Sequence, residues 1–203
     1  MSLIETAIHQ GLSMEQRLAE LGLNRESLEK VAKVASGAKN DSTANDPANA
    51  PGTFSYIYGT RTLREEFVGE EWAIDQTESV EAIQNEKLQI RVIFQNVDVA
   101  CVEDITPRPR SRKGAGSERV CQGNIFPEFP MPEENGHATY YLMLAQDGAF
   151  ELSRPIVRGG KFDEFVERIF IATEDPLDID ISGDKSTEAA NDLDIDVTRK
   201  NQK

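Results

Sequence analysis

The stretch YYLMLAQDGAFELSRPIV, residues 140–157, carries the clearest secondary-structure signal in the sequence. Two runs of β-favouring residues flank the dipeptide Asp147-Gly148, and an Asp-Gly pair between such runs is the strongest short signal for a hairpin. The sequence therefore predicts two antiparallel strands joined at that turn. Pro155 has no N–H to donate to a neighbouring strand, so we expect the second strand to lie at a sheet edge.

Further strands precede this hairpin in the chain. LQIRVIF, residues 88–94, alternates strictly between two faces, and every second residue from Leu88 to Phe94 is apolar. VDVACV, residues 97–102, continues as an extended run, and we interpret the break between the two runs as a bulge. The aromatic run TFSYIYG at 53–59 and the short run EWAIDQ at 71–76 also favour strands.

Two segments of the same region predict helices. TRTLREEFVG, residues 60–69, offers Thr60 as an N-cap and Gly69 as a stop. RGGKFDEFVERIFIA, residues 158–172, reads as an amphipathic helix because its large apolar side chains recur at helical spacing. Strands and helices that do not alternate regularly indicate an α+β fold with a central antiparallel or mixed sheet.

The N-terminal residues 1–36 predict a small helical hairpin. Gly22 marks the end of a first helix and Asn24 can cap a second, and both helices carry apolar residues at helical spacing. A helix-turn-helix also serves DNA binding, but the second helix has only a slight excess of positive charge. We therefore expect these helices to serve docking or homo-oligomerisation.

Composition divides the rest of the chain into three parts. Residues 37–52, GAKNDSTANDPANAPG, contain no large apolar side chain, which is typical of a flexible linker and predicts a domain boundary. Apolar residues concentrate in residues 53–172, which we predict to be the α+β core domain. Residues 173–203 predict an acidic flexible tail, since nine acidic residues and one lysine fall between Glu174 and Asp196.

The composition also limits the classes of protein that fit. The 203 residues carry a formal net charge of -14, which disfavours nonspecific binding of nucleic acid or anionic membrane by the whole surface. No apolar run approaches the roughly 20 residues that span a bilayer, and the N-terminus lacks the apolar run of a signal peptide. The two cysteines form no CxxC pair. We therefore expect reduced thiols in a cytoplasmic protein that binds no membrane.

The loop PRPRSRKGAGSERV, residues 107–120, concentrates positive charge in this acidic chain. Arginine presents a planar fork that matches phosphate, and the two glycines let adjacent amides point the same way, as in an anion-binding nest. More basic residues surround the RGGK turn at 158–161. We therefore predict contact with single-stranded nucleic acid or phosphate through Arg108, Arg110, Arg112, Lys113, Arg119, Arg158 and Lys161.

Aromatic side chains near these cations would strengthen a nucleic-acid site, because bases stack on them. Arg91, Arg154 and Arg168 would join the basic set if the fold brings these regions together. The candidates for an aromatic rim are Tyr56, Tyr58, Tyr140 and Tyr141. The alternative interpretation is a solvated loop, or a loop whose arginines pair with the acidic tail of the same chain.

The tail contains a repeated pattern, LDIDI at 177–181 and LDIDV at 193–197. Alternating aspartate and branched apolar residues give an extended segment one acidic and one apolar edge. Such a segment fits strand addition to the sheet edge of a protein partner, or docking in a basic groove. The predicted partner-binding residues are Leu177, Asp178, Ile179, Asp180, Leu193, Asp194, Ile195 and Asp196.

Enzymatic patterns are weak in this sequence. The two histidines, His9 and His137, fall in different segments, and no spacing of Cys and His matches a metal site or a cofactor motif. We therefore predict no catalytic residue, no metal and no cofactor. A nuclease site after a strand end is the remaining enzymatic interpretation, and it would use Asp98, Glu103, Asp104 and Lys113.

These features support three hypotheses on function. The first is a non-enzymatic accessory protein in nucleic-acid transactions, whose basic loop contacts single-stranded nucleic acid. Its acidic tail would recruit a protein partner or compete for the basic site. The second is an acidic protein-interaction module, an inhibitor or adaptor that mimics nucleic acid. The third is a small metal-dependent nuclease or hydrolase.

Overall fold

The computed structural model of the chain describes residues 5–111, 114–124 and 136–172. The strands in this part of the chain are Ala7–His9 (β1), Ala73–Asp75 (β2), Ala82–Asn85 (β3), Ile90–Asn96 (β4), Ala138–Leu144 (β5), Phe150–Arg158 (β6) and Lys161–Ala172 (β7). They form one seven-stranded sheet in the order β1-β7-β6-β5-β4-β3-β2. The pairs β4–β5 and β1–β7 are parallel and the other pairs are antiparallel, so the sheet is mixed.

The α-helices of the described residues are Leu12–Glu20 (α1), Arg25–Asn40 (α2), Ala50–Phe67 (α3) and Ala115–Val120 (α4). Two N-terminal helices together with a mixed sheet confirm the predicted α+β class. The helical hairpin turns at Gly22, which has a φ of 67°. The side chain of Asn24 caps α2 by accepting the N–H of Ser27 at 2.8 Å. Within the described part of the chain, no helix has the length and apolarity needed to cross a membrane.

Helices α1, α2 and α3 lie on one face of the sheet. Buried side chains of α1 and α2, such as Leu18 and Val31, share one apolar cluster with Val92 and Phe94 of β4. Helix α3 approaches β4 closely at Gly59, where a Cβ would lie 2.6 Å from ring atoms of Phe94. The helices and the sheet therefore bury their apolar surfaces against each other, which is the main stabilising term of such a layered fold.

The opposite face of the sheet is covered by α4 and the loop that leads to it. A second apolar cluster lies there, in which Ile93 and Tyr141 of the sheet pack with Val120 and Cys121. Short 3-10 helices at Thr77–Ser79 and Gln122–Asn124 flank this layer. The sheet is therefore buried on both faces, and its central strands carry apolar side chains on both sides.

Strands β5 and β6 confirm the predicted hairpin. The N–H of Ala145 donates to the carbonyl of Ala149 at 2.9 Å, and Gly148 adopts a φ of 89°. The edge position predicted from Pro155 is wrong, because β6 pairs with β5 on one side and with β7 on the other. Pro155 lies instead at a register shift between β6 and β7. A bulge is the other position at which a sheet accommodates proline.

Beside Pro155, strands β5 and β6 are not paired with each other. The side chain of Asn124 forms hydrogen bonds to both strands there instead. The β5–β6 pairing starts at Tyr141 and Ser153. Two residues further along each strand, Nδ2 of Asn124 donates to the carbonyls of Thr139 and Pro155, each at 2.8 Å. The N–H of Thr139 donates to Oδ1 of Asn124 at 3.0 Å. This fully buried amide therefore bridges the two strands where the backbone ladder stops.

Residues 53–59, predicted as a strand, form part of α3 instead. Ser55 and Gly59 are buried against the sheet, while the side chain of Ile57 is 51% exposed. The small residues allow close packing of the helix, so tertiary contact outweighs the β preference of the aromatic residues. The extended run predicted at 97–102 is also wrong, because a loop with one isolated bridge follows β4.

Residues 158–172, predicted as an amphipathic helix, form the last residue of β6, a two-residue turn and β7. Phe162 and Phe165 have helical spacing, yet both are buried in the second apolar cluster. Register shifts against β6 leave Asp163 and Val166 without a partner residue. These bulges bring residues three apart onto one face of the sheet, which reproduces the periodicity of a helix in a strand.

The segment 37–52, predicted as a flexible linker, contributes to two helices. Residues 37–40 complete α2, residues 50–52 begin α3, and residues 41–49 connect them. In the connection, a carboxylate oxygen of Asp46 accepts the N–H of Thr43 at 2.7 Å. Helices α2 and α3 pack against each other, and the segment joins two elements of the same core. The predicted acidic tail, residues 173–203, lies outside the described residues.

Candidate functional site

A cleft of about 800 Å³ opens at the end of the sheet where the parallel strands β4 and β5 finish. The last turn of α2, the first turn of α3 and the loop after β4 border it. Its lining residues include Lys39, Tyr56, Asn96, Arg110 and Gln146. In α/β proteins, the carboxyl ends of parallel strands are a common location for ligand sites.

Backbone hydrogen bonds hold the first part of the basic loop against the end of β4. The N–H of Arg110 donates to the carbonyl of Asn96 at 3.0 Å, and the N–H of Asp98 donates to the carbonyl of Arg108 at 3.1 Å. The side chain of Arg110 reaches the β5–β6 turn, where Nη1 donates to Oε1 of Gln146 at 2.9 Å. The sheet therefore fixes the place of this guanidinium group.

Lys39 brings a second positive charge to the same place. It lies in the last turn of α2, and its Nζ donates to the backbone carbonyl of Gln146 at 2.9 Å. Gln146 therefore accepts from both cations, from the ammonium of Lys39 at its backbone carbonyl and from the guanidinium of Arg110 at Oε1, although distant segments supply them. Two neighbouring cations of this kind attract a ligand with more than one negative charge.

Among the described residues that line the cleft, none is acidic, although the chain has 36 Asp and Glu against 22 Lys and Arg. The nearby aspartates bind backbone N–H groups. Oδ1 of Asp98 accepts from Val99 at 2.8 Å and from Arg108 at 2.7 Å. Oδ1 of Asp147 accepts from Ala149 at 3.2 Å. The cleft is therefore a positive region of an acidic protein.

The first turn of α3 adds to this positive region. It contains no acidic residue, and Asn49 at the N-cap makes no side-chain hydrogen bond to the helix. Asn96 ties this turn to β4: Nδ2 donates to the carbonyl of Gly52 at 3.1 Å, and Oδ1 accepts from the Ser55 hydroxyl at 2.8 Å. A helix N-terminus stabilises a nearby anion by about 0.3–1 kcal/mol.

Three other predicted contact residues lie away from the cleft. Arg158 and Lys161 flank the turn between β6 and β7, at the end of the sheet opposite to the cleft. Arg158 pairs with Asp163 at 2.6 Å. Arg119 lies on α4 and pairs with Glu78 at 2.6 Å. The structure therefore separates the predicted basic set instead of gathering it on one face.

The two glycines of the basic loop serve helix α4. Gly114 is its N-cap in an extended conformation, and Gly116 lies inside the helix. A Cβ on Gly116 would lie 2.4 Å from the carbonyl oxygen of Glu78, so this glycine allows close packing. The packing of α4 accounts for Gly116, and the anion nest predicted for these glycines stays a prediction. Arg112, Lys113 and the eight predicted partner-binding residues of the tail lie outside the described residues.

Two arginines of the predicted basic face are buried in ion pairs. Arg91 pairs with Asp75, and Arg168 pairs with Glu151 at 2.8 Å. Arg168 also donates to backbone carbonyls of residues 102, 103 and 105, so it holds the loop after β4 on the sheet. Both guanidinium groups are therefore buried in the fold and do not contribute to an exposed basic face.

The four tyrosines divide between the core and the surface. Tyr140 and Tyr141 are buried in the sheet, which excludes them from a surface rim. Tyr58 is exposed and lies 5.2 Å from the guanidinium carbon of Arg61, measured to its ring centroid. Tyr56 lines the cleft and is 38% exposed. Among the described residues that line the cleft, Tyr56 is the aromatic one.

The residues considered for enzymatic chemistry show no shared geometry in the described ranges. Asp98, Glu103 and Asp104 lie in the loop after β4, and no group of three or more His, Cys, Asp or Glu residues there could hold a metal ion. Burial, together with the charge of Glu151, raises the pKa of the Cys101 thiol to about 12. A thiol with so high a pKa is a poor nucleophile at neutral pH.

Sequence reasoning missed Lys39, Asn96 and Gln146 as residues of one site. Lys39 falls in the segment predicted as a linker, residues 37–52. Helix α2 ends at Asn40, four residues after the predicted end of the N-terminal helices, and therefore contains Lys39. Asn96 and Gln146 each follow a predicted strand, so parallel pairing of those strands would have placed them at one sheet end. The parallel pairing itself carries no local sequence signal, because residues 97–137 separate the two strands.

Comparison with known proteins assigns no family to the chain. No protein-family model matches it, and neither a curated protein nor a solved structure matches it.

Proposed function

We propose that this chain is a non-enzymatic accessory protein that binds single-stranded nucleic acid in the cleft at the ends of β4 and β5. Lys39 and Arg110 bind neighbouring phosphates, and the ring of Tyr56 stacks on a base. One observation carries the proposal: two cations from separate segments contact Gln146 in a cleft whose described lining residues include no carboxylate, in a chain with a net charge of -14.

The chemistry of the cleft favours phosphate over other anions. The guanidinium of Arg110 can bind two phosphate oxygens at once, while the ammonium of Lys39 acts as a compact charge on the next phosphate. Stacking of a base on an aromatic ring contributes about 1–3 kcal/mol and is tolerant of sequence. These contacts together describe weak binding of a strand with little base preference.

A single strand fits this surface better than a duplex does. A duplex hides the faces of its bases, so Tyr56 would have no base to stack on. A duplex also needs positive charge over a wide area, whereas Arg158 and Lys161 lie at the opposite end of the sheet. The acidic remainder of the surface would repel the second strand.

The flanking segments keep their predicted roles in this proposal. The acidic tail recruits a protein partner through the LDIDI and LDIDV segments. The N-terminal helices mediate docking or homo-oligomerisation through their outer surfaces, since their buried side chains pack on the sheet. Leu12, which is 84% exposed, is an apolar side chain on α1 that a partner could cover.

Fluorescence anisotropy with a labelled single-stranded oligonucleotide tests the proposal. Lys39→Ala and Arg110→Ala each remove one charge-assisted contact worth about 1.5 kcal/mol or more, so each should weaken binding roughly tenfold. Two phosphate contacts predict a slope of about -1.4 for log affinity against log salt concentration. A rise from 50 to 200 mM salt should then weaken binding only about sevenfold.

Arg158→Ala is the matched control, because it removes an exposed arginine at the other end of the sheet. Its affinity should equal that of the wild-type chain. The titration is run at low salt with the wild-type chain and with a chain whose acidic residues 174–196 are neutralised. Undetectable binding by both would overturn the proposal, and so would wild-type affinity in the Lys39→Ala/Arg110→Ala double variant.

A further inference from the structure

Strand β7 ends beside the cleft. Ala172 pairs with Phe150 of β6, Phe150 pairs with Leu144 of β5, and Leu144 pairs with Asn96 of β4. These residues form one row across the sheet. Since neighbouring strands are about 4.8 Å apart, Ala172 is roughly 10 Å from Leu144 and roughly 15 Å from Asn96. The chain that follows β7 therefore starts at the same sheet end as the cleft.

The first residues after β7 are strongly acidic. The segment TEDPLDID, residues 173–180, contains four acidic residues and no basic one. Eight residues span at most roughly 28 Å when fully extended. This limit exceeds the distance from Ala172 to the end of β4, so the segment is long enough to reach the cleft. Its charge is opposite to that of Lys39 and Arg110.

We propose that residues 174–180 occupy the cleft of their own chain, with carboxylates bound to Lys39 and Arg110. The inference rests on the proposed function, because it makes this segment a competitor of nucleic acid for the same two cations. A short tether holds the segment at an effective concentration on the order of millimolar. Weak carboxylate contacts are then enough to exclude weakly bound strands.

The position of the segment favours this occupant over more distant acidic residues. Asp192, Asp194 and Asp196 follow Ala172 by at least twenty residues, and the effective concentration of a tethered group falls as the tether lengthens. While the proximal segment occupies the cleft, the distal LDIDV segment stays accessible to a protein partner. Nucleic acid must displace the proximal segment to bind.

Two matched variants of the full chain separate proximity from charge. The proximal variant neutralises the four acidic residues nearest to β7: Glu174→Gln, Asp175→Asn, Asp178→Asn and Asp180→Asn. The distal variant neutralises four acidic residues farther along: Glu188→Gln, Asp192→Asn, Asp194→Asn and Asp196→Asn. Both variants change the net charge equally, so any difference between them reports on position.

Amide NMR shifts of the chain alone test the occupancy without any nucleic acid. Backbone amides of Gly52, Asn96 and Gln146 report on the cleft. The proximal variant should shift these amides relative to the wild-type chain at low salt, and the distal variant should leave them unchanged. High salt should move the wild-type spectrum toward that of the proximal variant, because it screens exposed ion pairs. Unchanged cleft amides in the proximal variant would overturn the inference.

An oligonucleotide titration then tests the competition. The proximal variant should bind a single-stranded oligonucleotide roughly tenfold more tightly than the wild-type chain at low salt, and the distal variant should bind as the wild type does. Equal gains in both variants would overturn the assignment to residues 174–180. Shifted cleft amides without oligonucleotide binding in any variant would refute the proposed function and leave the occupancy of the cleft standing.

Discussion

Replacement of Asn124 should destabilise this protein more than its location in a short 3-10 helix implies. Its amide makes three hydrogen bonds to the backbones of Thr139 and Pro155, and Oδ1 also accepts from Nε of Arg154 at 2.9 Å. Asn124→Ala leaves the Thr139 N–H and two carbonyl oxygens without these partners. All three groups lie in buried residues between β5 and β6.

The size of the effect follows from these three backbone groups. A buried donor or acceptor that loses its partner costs about 1–3 kcal/mol. Because the three groups are neighbours and their costs are not additive, we expect a loss of about 3–5 kcal/mol in the free energy of unfolding. For a chain of this size, that loss corresponds to a decrease of roughly 6–20 °C in Tm.

Urea denaturation and thermal unfolding followed by circular dichroism measure this loss. Gln122→Ala is the matched control, since Gln122 belongs to the same 3-10 helix and is exposed. Its effect should lie within about 0.5 kcal/mol of zero. Asn124→Asp keeps the acceptor for the Thr139 N–H but replaces the donor by an oxygen. It should therefore lose at least as much stability as Asn124→Ala near neutral pH.

A small effect would refute this reasoning. If Asn124→Ala and Gln122→Ala unfold at the same urea concentration, the amide does not bridge the strands beside Pro155. An unchanged m value together with a lower midpoint is the expected pattern, because it indicates a loss of stability without a change in the surface exposed on unfolding.

Two further predictions concern packing and acid stability. Gly59→Ala would place its Cβ 2.6 Å from ring atoms of Phe94 and should lower the free energy of unfolding by about 1–3 kcal/mol. Gly37→Ala in α2, where a Cβ meets no atom within 4 Å, should raise it by about 0.5–1 kcal/mol, and equal effects in urea denaturation would contradict both expectations. Burial alone would raise the pKa of Glu167, but hydrogen bonds from Arg17 and a buried tyrosine hold it below the ordinary value of 4.5. The Glu167 carboxylate therefore stabilises the fold above that value, and the contribution is lost as pH falls through the lowered pKa. Glu167→Gln should reduce Tm near neutral pH by more than it does below about pH 4, and a gap that stays constant with pH would contradict this.

The predictable elements of this fold are those with local sequence signals. The β5–β6 hairpin needs only β-favouring runs around Asp147-Gly148, whose glycine takes the positive φ of the turn. Strand β4 shows strict alternation, and Asn24 caps α2 as its side chain and spacing indicate. Each of these signals lies within a few residues, so a single sequence is sufficient to read it.

The elements that were predicted wrongly depend on contacts between different helices and strands. Aromatic residues at 53–59 belong to a helix because Gly59 lets that helix pack on Phe94. The spacing of Phe162 and Phe165 resembles a helix because bulges in β7 shift the register. Pro155 lies inside the sheet because Asn124 supplies hydrogen bonds beside it. Gly59 and Phe94 are 35 positions apart, and Asn124 and Pro155 are 31 positions apart, so neither contact is part of a local pattern.

Composition and short-range pattern are sufficient to predict the α+β class, the hairpin at Asp147-Gly148 and the separation of charge between a basic loop and an acidic C-terminal segment. Which cations share a site depends instead on contacts between distant parts of the fold. Parallel pairing of β4 with β5 brings Arg110 to Gln146, and the packing of α2 on the sheet brings Lys39 there as well. Ion pairs with Asp163 and Glu78 hold Arg158 and Arg119 elsewhere. The positive cleft is therefore a product of strand order and helix packing, which no local pattern encodes.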